Sequence, residues 1–230
     1  MKGNAIGIFL YRINYSDTSL IVHFYTRDHG LKKFLFKGGK KKGHSLFPMA
    51  ICDLEFYGRQ ESNLLSLTSA EPKNGLSFQF DPIRSSIAFF MAEVVRKCVI
   101  DDEKDALFFD RLSEAIIALN QREDCQLFPV EFMLGMAESM GIQPLVSEDQ
   151  AEVFNLDDGV FERRSPSHIR SVSGPPVDLI LSLLAEKPPK VTPKSVREQA
   201  LDIMLDYFRI HVPKFDQLQS YEIVKEVLRG

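Results

Sequence analysis

At Asp81-Pro82 the hydrophobic period of this chain changes, and that change limits the folds open to it. Before it, short runs rich in β-branched and aromatic residues lie at 5–11, 19–26, 31–36, 51–57 and 63–69, with turn-forming residues between them. In the fourth run Cys52, Leu54 and Phe56 alternate with Asp53 and Glu55, the period-two signature of a strand with one buried face. Five short strands in 80 residues predict a small closed barrel, for which the five-stranded OB fold is a common solution among nucleic-acid binders.

Beyond Pro82 the period becomes helical. Ile83, Ile87, Phe90, Val94 and Cys98 mark a long amphipathic helix, and Phe108, Leu112, Ala115, Ile116 and Leu119 a second. A third spans 128–140 and ends at Gly141, a C-terminal cap. The pattern lapses over about 146–176, where Asp157-Asp158-Gly159 between Phe154 and Phe161 predicts a hairpin turn. It returns with Thr192 as cap and Pro193 in the first turn, ahead of Val196, Ala200, Ile203 and Tyr207. A last helix follows Ser220 through Val224, Val227 and Leu228. The expected fold is α+β: a five-stranded OB barrel over 1–80, then an all-helical domain over 81–230 carrying a small irregular or β insertion.

Charge divides at the same place. Residues 1–80 hold 11 Lys and Arg against 6 Asp and Glu, whereas the whole chain has 28 against 32. An acidic protein that gathers positive charge on one β-patterned segment presents that segment to a polyanion. The sharpest element is Lys37-Gly38-Gly39-Lys40-Lys41-Lys42-Gly43, read as a basic loop between the third and fourth strands. Glycines let a backbone approach a phosphate closely and the lysines supply charge. The segment lacks P-loop spacing, so nucleotide hydrolysis is not inferred. With Arg27, Lys32, Lys33 and Arg59 these lysines make the candidate DNA-binding set: Arg27, Lys32, Lys33, Lys37, Lys40, Lys41, Lys42 and Arg59. Phe9, Tyr11, Tyr15, Phe24, Tyr25, Phe34 and Phe36 could include base-stacking rings, although a barrel this small needs most of them as core.

Catalytic constellations are thin. Cys52, Cys98 and Cys125 lie too far apart for a thiolate metal motif and read as small core residues. His23, His29, His44, His168 and His211 offer no pair at metal-ligand spacing. Asp101, Asp102, Glu103 and Asp105 could hold Mg²⁺ in a nuclease, but a charged loop between helices is the better reading. The expectation is a protein that is not an enzyme and uses no cofactor. No apolar run approaches the roughly 18 residues needed to cross a bilayer, and no secretion signal is evident, so a cytoplasmic location is expected.

Residues 15–71 resemble the N-terminal domain of the bacterial RecO recombination mediators. The pattern of that family is matched by Tyr15, Ser16 and Asp17, an apolar strand, Thr26 and Gly30, the basic turn with Lys37, Gly38 and Lys40, then Pro48, and Ala70-Glu71 closing the last strand. Tyr207-Phe208-Arg209-Ile210-His211-Val212-Pro213 followed by Ser220 and Glu222 resembles the family's C-terminal signature. The resemblance implies binding of single- and double-stranded DNA and annealing of complementary strands. It also implies partnership with RecR and with the C-terminal tail of the single-strand binding protein in loading RecA, at the bacterial nucleoid. Arg96, Lys97, Arg111 and Arg122 are equally open as the basic rim for that tail. Many relatives carry a four-cysteine zinc module in the insertion; residues 144–176 contain no cysteine, so a metal-free insertion is expected. An RNA-binding OB adaptor is the main alternative.

Overall fold

The computed structural model describes residues 2–43, 46–58, 62–73, 75–99, 103–147, 150–163 and 170–229. The chain forms two compact units, 1–123 and 124–230.

The first unit is built on a closed barrel of β1 (Lys2–Asn14), β2 (Leu20–Thr26), β3 (Gly30–Phe36), β4 (Ile51–Tyr57) and β5 (Leu65–Pro72). Its order, β1-β2-β3-β5-β4, closes through parallel pairing of β3 with β5 and antiparallel pairing of β1 with β4. That is OB topology, as the strand count led us to expect. β1 serves both neighbours: Lys2 to Ile8 pair with β4, Gly7 to Asn14 with β2, and a bulge between Phe9 and Tyr11 turns the strand. Phe9, Val22, Phe24, Phe34, Phe36, Leu54 and Leu67 point inward and fill the barrel. At about 1.5–3 kcal/mol for each large side chain taken out of water, these side chains supply much of its stability.

Between β3 and β4 stands α1 (Gly39–Lys42), a single helical turn where the sequence suggested a loop. Two helices complete the unit, α2 (Pro82–Cys98) and α3 (Ala106–Gln121). Asp81 caps α2 by accepting from the backbone N–H of Ile83 and Arg84, with Pro82 in the first turn. Arg84 then ties the two helices together: its guanidinium pairs with Asp81 and donates to the carbonyls of Leu119 and Arg122.

The second unit contains α4 (Phe128–Ser139), α5 (Pro175–Leu184), α6 (Lys194–His211) and α7 (Tyr221–Arg229), with α6 packed against the other three. Between α4 and α5 a four-stranded sheet forms from β6 (Leu145–Val146), β7 (Val153–Asn155), β8 (Val160–Glu162) and β9 (Ser171–Ser173), in the order β6-β8-β7-β9. β7 and β8 form the hairpin expected at Asp157-Asp158-Gly159. What fastens this sheet is aromatic: Phe154 and Phe161 stack at 4.2 Å, and Tyr207 of α6 lies 5.3 Å from Phe154. The Tyr207 hydroxyl donates to the Ile142 carbonyl (2.7 Å), and His211 Nε2 lies 2.7 Å from the Leu156 carbonyl.

Two local expectations are corrected. Helix α6 begins one residue later than expected: Pro193 occupies the cap position, and the Thr192 carbonyl accepts from Arg197 instead. Helix α5 was not anticipated. Its run Pro175-Pro176-Val177-Asp178-Leu179-Ile180-Leu181 has almost no polar spacing to reveal a period, and paired prolines suggest a break, yet Pro at the first helical position needs no N–H partner.

Candidate nucleic-acid interface

Helix α1 closes one end of the barrel, and its glycines decide which way its lysines face. Gly38 adopts φ +70°, which turns the chain out of β3. Gly39 then lies flat on the core ring of Phe36, where a β-carbon would stand 3.0 Å from the ring, and Gly43 packs near Phe36, Leu46 and Leu20. With the glycines seated on the core, Lys40, Lys41 and Lys42 project into solvent beside Lys37. The turn is anchored to the β1–β2 loop, since Lys40 N–H donates to the Thr18 carbonyl (3.2 Å). Arg12 Nη1 donates to the Gly43 carbonyl (3.1 Å), adding a fifth cation to this end. Tyr15, 60% exposed, stands in the same β1–β2 loop.

The outer face of β1, β2 and β3 leads away from this end in rows set by strand register. Ile13, Ile21 and Leu35 make the row nearest α1; Tyr11, His23 and Lys33 make the next. The Tyr11 ring stacks on His23 at 4.0 Å and 11°, and the guanidinium of Arg96, from the last turn of α2, lies 4.9 Å above it. Beyond that row the face is closed. Tyr25 is buried against Phe108 (5.2 Å) and Phe109 (6.4 Å) of α3, and burial together with the nearby Asp105 carboxylate pushes its hydroxyl up to about 12. Helix α3 therefore covers one half of the β1–β3 face and leaves the half beside α1 uncovered by it. That half carries Tyr11 and Lys33 with Arg96 over the Tyr11 ring, and at its edge stand Lys37, Lys40, Lys41 and Lys42 with Arg12, which shares the inward row of Val22 and Phe34 and reaches the α1 end, and Tyr15 of the β1–β2 loop.

The sequence candidates divide between the two ends of the barrel. Lys33, Lys37, Lys40, Lys41 and Lys42 come together as described. Arg27, just beyond β2, is at the far end and donates through Nε and Nη2 to the carboxylate of Asp110 on α3 (2.9 and 2.8 Å). This pairing holds Asp110 below the usual carboxylate range. Lys32 has the inward parity of Phe34 and Phe36 and lines the far mouth of the barrel. Arg59 lies outside the described residues. Arg12 and Arg96 were missed as members of the face: Arg12 sits alone in an apolar strand, and Arg96 is about 85 residues from Tyr11 in sequence, so no local pattern joins them.

The aromatic candidates sort in the same way. Phe9, Phe24, Phe34 and Phe36 are core, Tyr25 is buried under α3, and Tyr11 and Tyr15 remain at the surface row and loop. Cys52 and Cys125 are buried and Cys98 is half-buried; burial pushes the Cys52 thiol up to about 12. Of the acidic residues weighed for a nuclease, Asp101 and Asp102 lie outside the described residues. Asp105 caps α3 by accepting from Phe108 N–H (2.9 Å), so helix initiation accounts for it. Among the described residues no group of three His, Cys, Asp or Glu is disposed to hold a metal ion.

The opposite wall has the other sign. Asp53, Glu55 and Glu71 point outward from β4 and β5, with Lys2 beside Glu55 (3.3 Å) and Lys73 beside Asp53 (3.8 Å). The barrel is thus electrically polarised, with the basic end and face turned away from an acidic wall.

Two family models match, "Recombination protein O N terminal" over residues 1–76 and "Recombination protein O C terminal" over residues 79–221. The chain belongs to the recombination protein O family. Recombination protein O relatives share its full length: it is 28% identical to the DNA repair protein RecO of Phocaeicola vulgatus over 99% of both chains. It is 25% identical to the DNA repair protein RecO of Flavobacterium psychrophilum over 99% of both, and 25% identical to that of Porphyromonas gingivalis over 94% of this chain and 95% of the relative. Membership in the recombination protein O family agrees with the expectation of a binding protein rather than an enzyme. Among the described residues no helix is long and apolar enough to cross a membrane.

Proposed function

We propose that the chain is a recombination mediator acting in bacterial DNA repair. It binds single- and double-stranded DNA through the open half of the β1–β3 face and anneals complementary strands. With RecR it helps load RecA onto DNA covered by the single-strand binding protein, whose C-terminal tail it contacts, in the cytoplasm at the nucleoid. The observation that carries the DNA-binding reading is α1: its glycines sit on Phe36 so that three consecutive lysines, with Lys37 and Arg12, stand at the edge of a face bearing Tyr11, Lys33 and Arg96. Charge on two bound strands, partly neutralised by this cluster, lowers their mutual repulsion and lets pairing proceed without ATP.

Phosphate-dominated binding falls steeply with salt. About five contacts give a log-log slope of about −3.5 on single strands. Replacing Lys40, Lys41 and Lys42 with Ala reduces affinity and brings the slope to about −1.4. The test is a salt titration of a fluorescent oligonucleotide with wild type and this variant, followed by addition of the complement to time annealing. An unchanged slope in a folded triple variant would remove α1 from the interface, and equal competition by RNA of the same sequence would favour an RNA adaptor instead.

A further inference from the structure

Three phenylalanine rings run in a row from the core of the first unit to its surface. Phe78 is buried, Phe47 is half-buried with its ring 5.8 Å from that of Phe78, and Phe89 of α2 stands edge-on to Phe47 at 5.2 Å. Phe89 is 49% exposed, so a fixed aromatic ring offers half its surface to solvent.

The chain puts this row beside the basic end of the barrel. Leu46 N–H donates to the carbonyl of Gly43 (3.2 Å), the residue that caps α1 and also accepts from Arg12. Met49 N–H donates to the Phe9 carbonyl (2.7 Å) and Phe9 N–H to the Ala50 carbonyl (2.9 Å), two residues before Tyr11. Phe47 is thus bracketed between α1 and the bulge of β1.

Helix geometry carries the row on to Arg96. Phe89 and Arg96 are two turns apart, on one side of α2 and about 10 Å from each other along its axis. The Arg96 guanidinium lies over the Tyr11 ring. Glu93, half-buried, lies between them one turn on from Phe89. A carboxylate there disfavours phosphate over the helix, while the lysines of α1 favour it at their edge. The group that a strand held at α1 can turn toward Phe89 is therefore its base.

We propose that the exposed ring of Phe89, backed by Phe47, is a stacking platform for a base of single-stranded DNA whose phosphates lie on the lysines of α1. The inference rests on the single-strand reading above and adds to it a contact outside the barrel. Every base has a π-face, so the platform tolerates any sequence. In a duplex those faces are covered by neighbouring pairs. Pairing with the complement then withdraws the base from Phe89, and the product is held less tightly than the strand that entered.

The chain contains no tryptophan, so Phe89→Trp gives the full-length protein one indole whose emission reports stacking directly. This variant would be titrated at low salt with dye-labelled oligothymidylate and with an abasic oligonucleotide of the same length, following anisotropy for binding and indole emission for stacking. Expected are quenching by oligothymidylate, none by the abasic strand, and about tenfold weaker binding of the abasic strand. Phe89→Leu keeps apolar bulk over Phe47 but removes the π-face. It lowers affinity for oligothymidylate about tenfold, leaves that for the abasic strand and for duplex as in wild type, and does not change the salt slope. Binding seen by anisotropy without quenching, or quenching by the abasic strand as well, overturns the platform and leaves the α1 reading standing. Unchanged oligothymidylate affinity in Phe89→Leu overturns it in favour of a protein contact at the exposed ring. Absence of all oligonucleotide binding at low salt overturns both readings together.

Discussion

At Gly159 the backbone sits at φ +69°, and a β-carbon there would come within 2.5 Å of the Tyr207 hydroxyl that donates to Ile142. Gly159→Ala therefore meets backbone strain and a fixed polar contact at once, and destabilises the second unit by about 1–3 kcal/mol. Gly135 is its counterpart: it lies exposed in the middle of α4 with open space around it, so Gly135→Ala stabilises by up to about 1 kcal/mol. Urea denaturation of the two variants, compared with wild type, should move the midpoint in opposite directions. A further residue-scale outcome concerns acid. Asp110 has a folded pKa below its unfolded value of about 3.9, so its pairing with Arg27 contributes stability above that pH and loses it as pH falls through the folded value. Asp110→Asn should flatten this part of the stability profile below about pH 4 and leave its shape near neutrality alone. The Thr26 hydroxyl, donating to the Gly30 carbonyl (2.8 Å), and the left-handed Gly30 explain physically why a threonine and a glycine four apart stood out in the sequence.

Elements were legible where their own residues carry the pattern. In β4 and in α2, α3, α4 and α6 one face is polar enough to mark the period, and the other four strands stand out by their β-branched and aromatic residues between turns. The apolar run of α5 has no such contrast, and the one-turn α1 is too short to have a period at all; it is held by Gly39 on Phe36 and by Thr18, neither visible locally. Candidate charges were legible as a group but not by position. Strand polarity puts Arg27 and Lys32 at one end and Lys37 at the other, and the partner of Arg27 is on a helix 83 residues away. The β1–β2 loop gives a prediction at this scale. Tyr15→Ala should lower oligonucleotide affinity about tenfold through lost base stacking while leaving the salt slope as it is, which salt-titrated binding can separate from the lysine effect.

For the molecule as a whole, compactness draws α2 and α3 into one unit with the barrel, while the family models meet between residues 76 and 79. The physical reason is the outer surface of the barrel: Tyr25 is buried by Phe108 and Phe109, and Tyr11 lies beneath Arg96. A fragment ending at residue 80 would expose that aromatic surface, whereas one ending at residue 123 retains its cover. The shorter fragment should aggregate or bind hydrophobic dyes, and the longer should unfold cooperatively, as thermal melting and light scattering would show. Closure of the barrel also sets a timetable for synthesis. The β1–β2–β3 meander can pair once residue 36 has left the ribosome, but β1 waits for β4 and β3 waits for β5, which ends at Pro72. Until then the nascent chain carries two unpaired strand edges, and the interval during which residues 37–72 are made is when it is most open to pairing with a neighbouring chain.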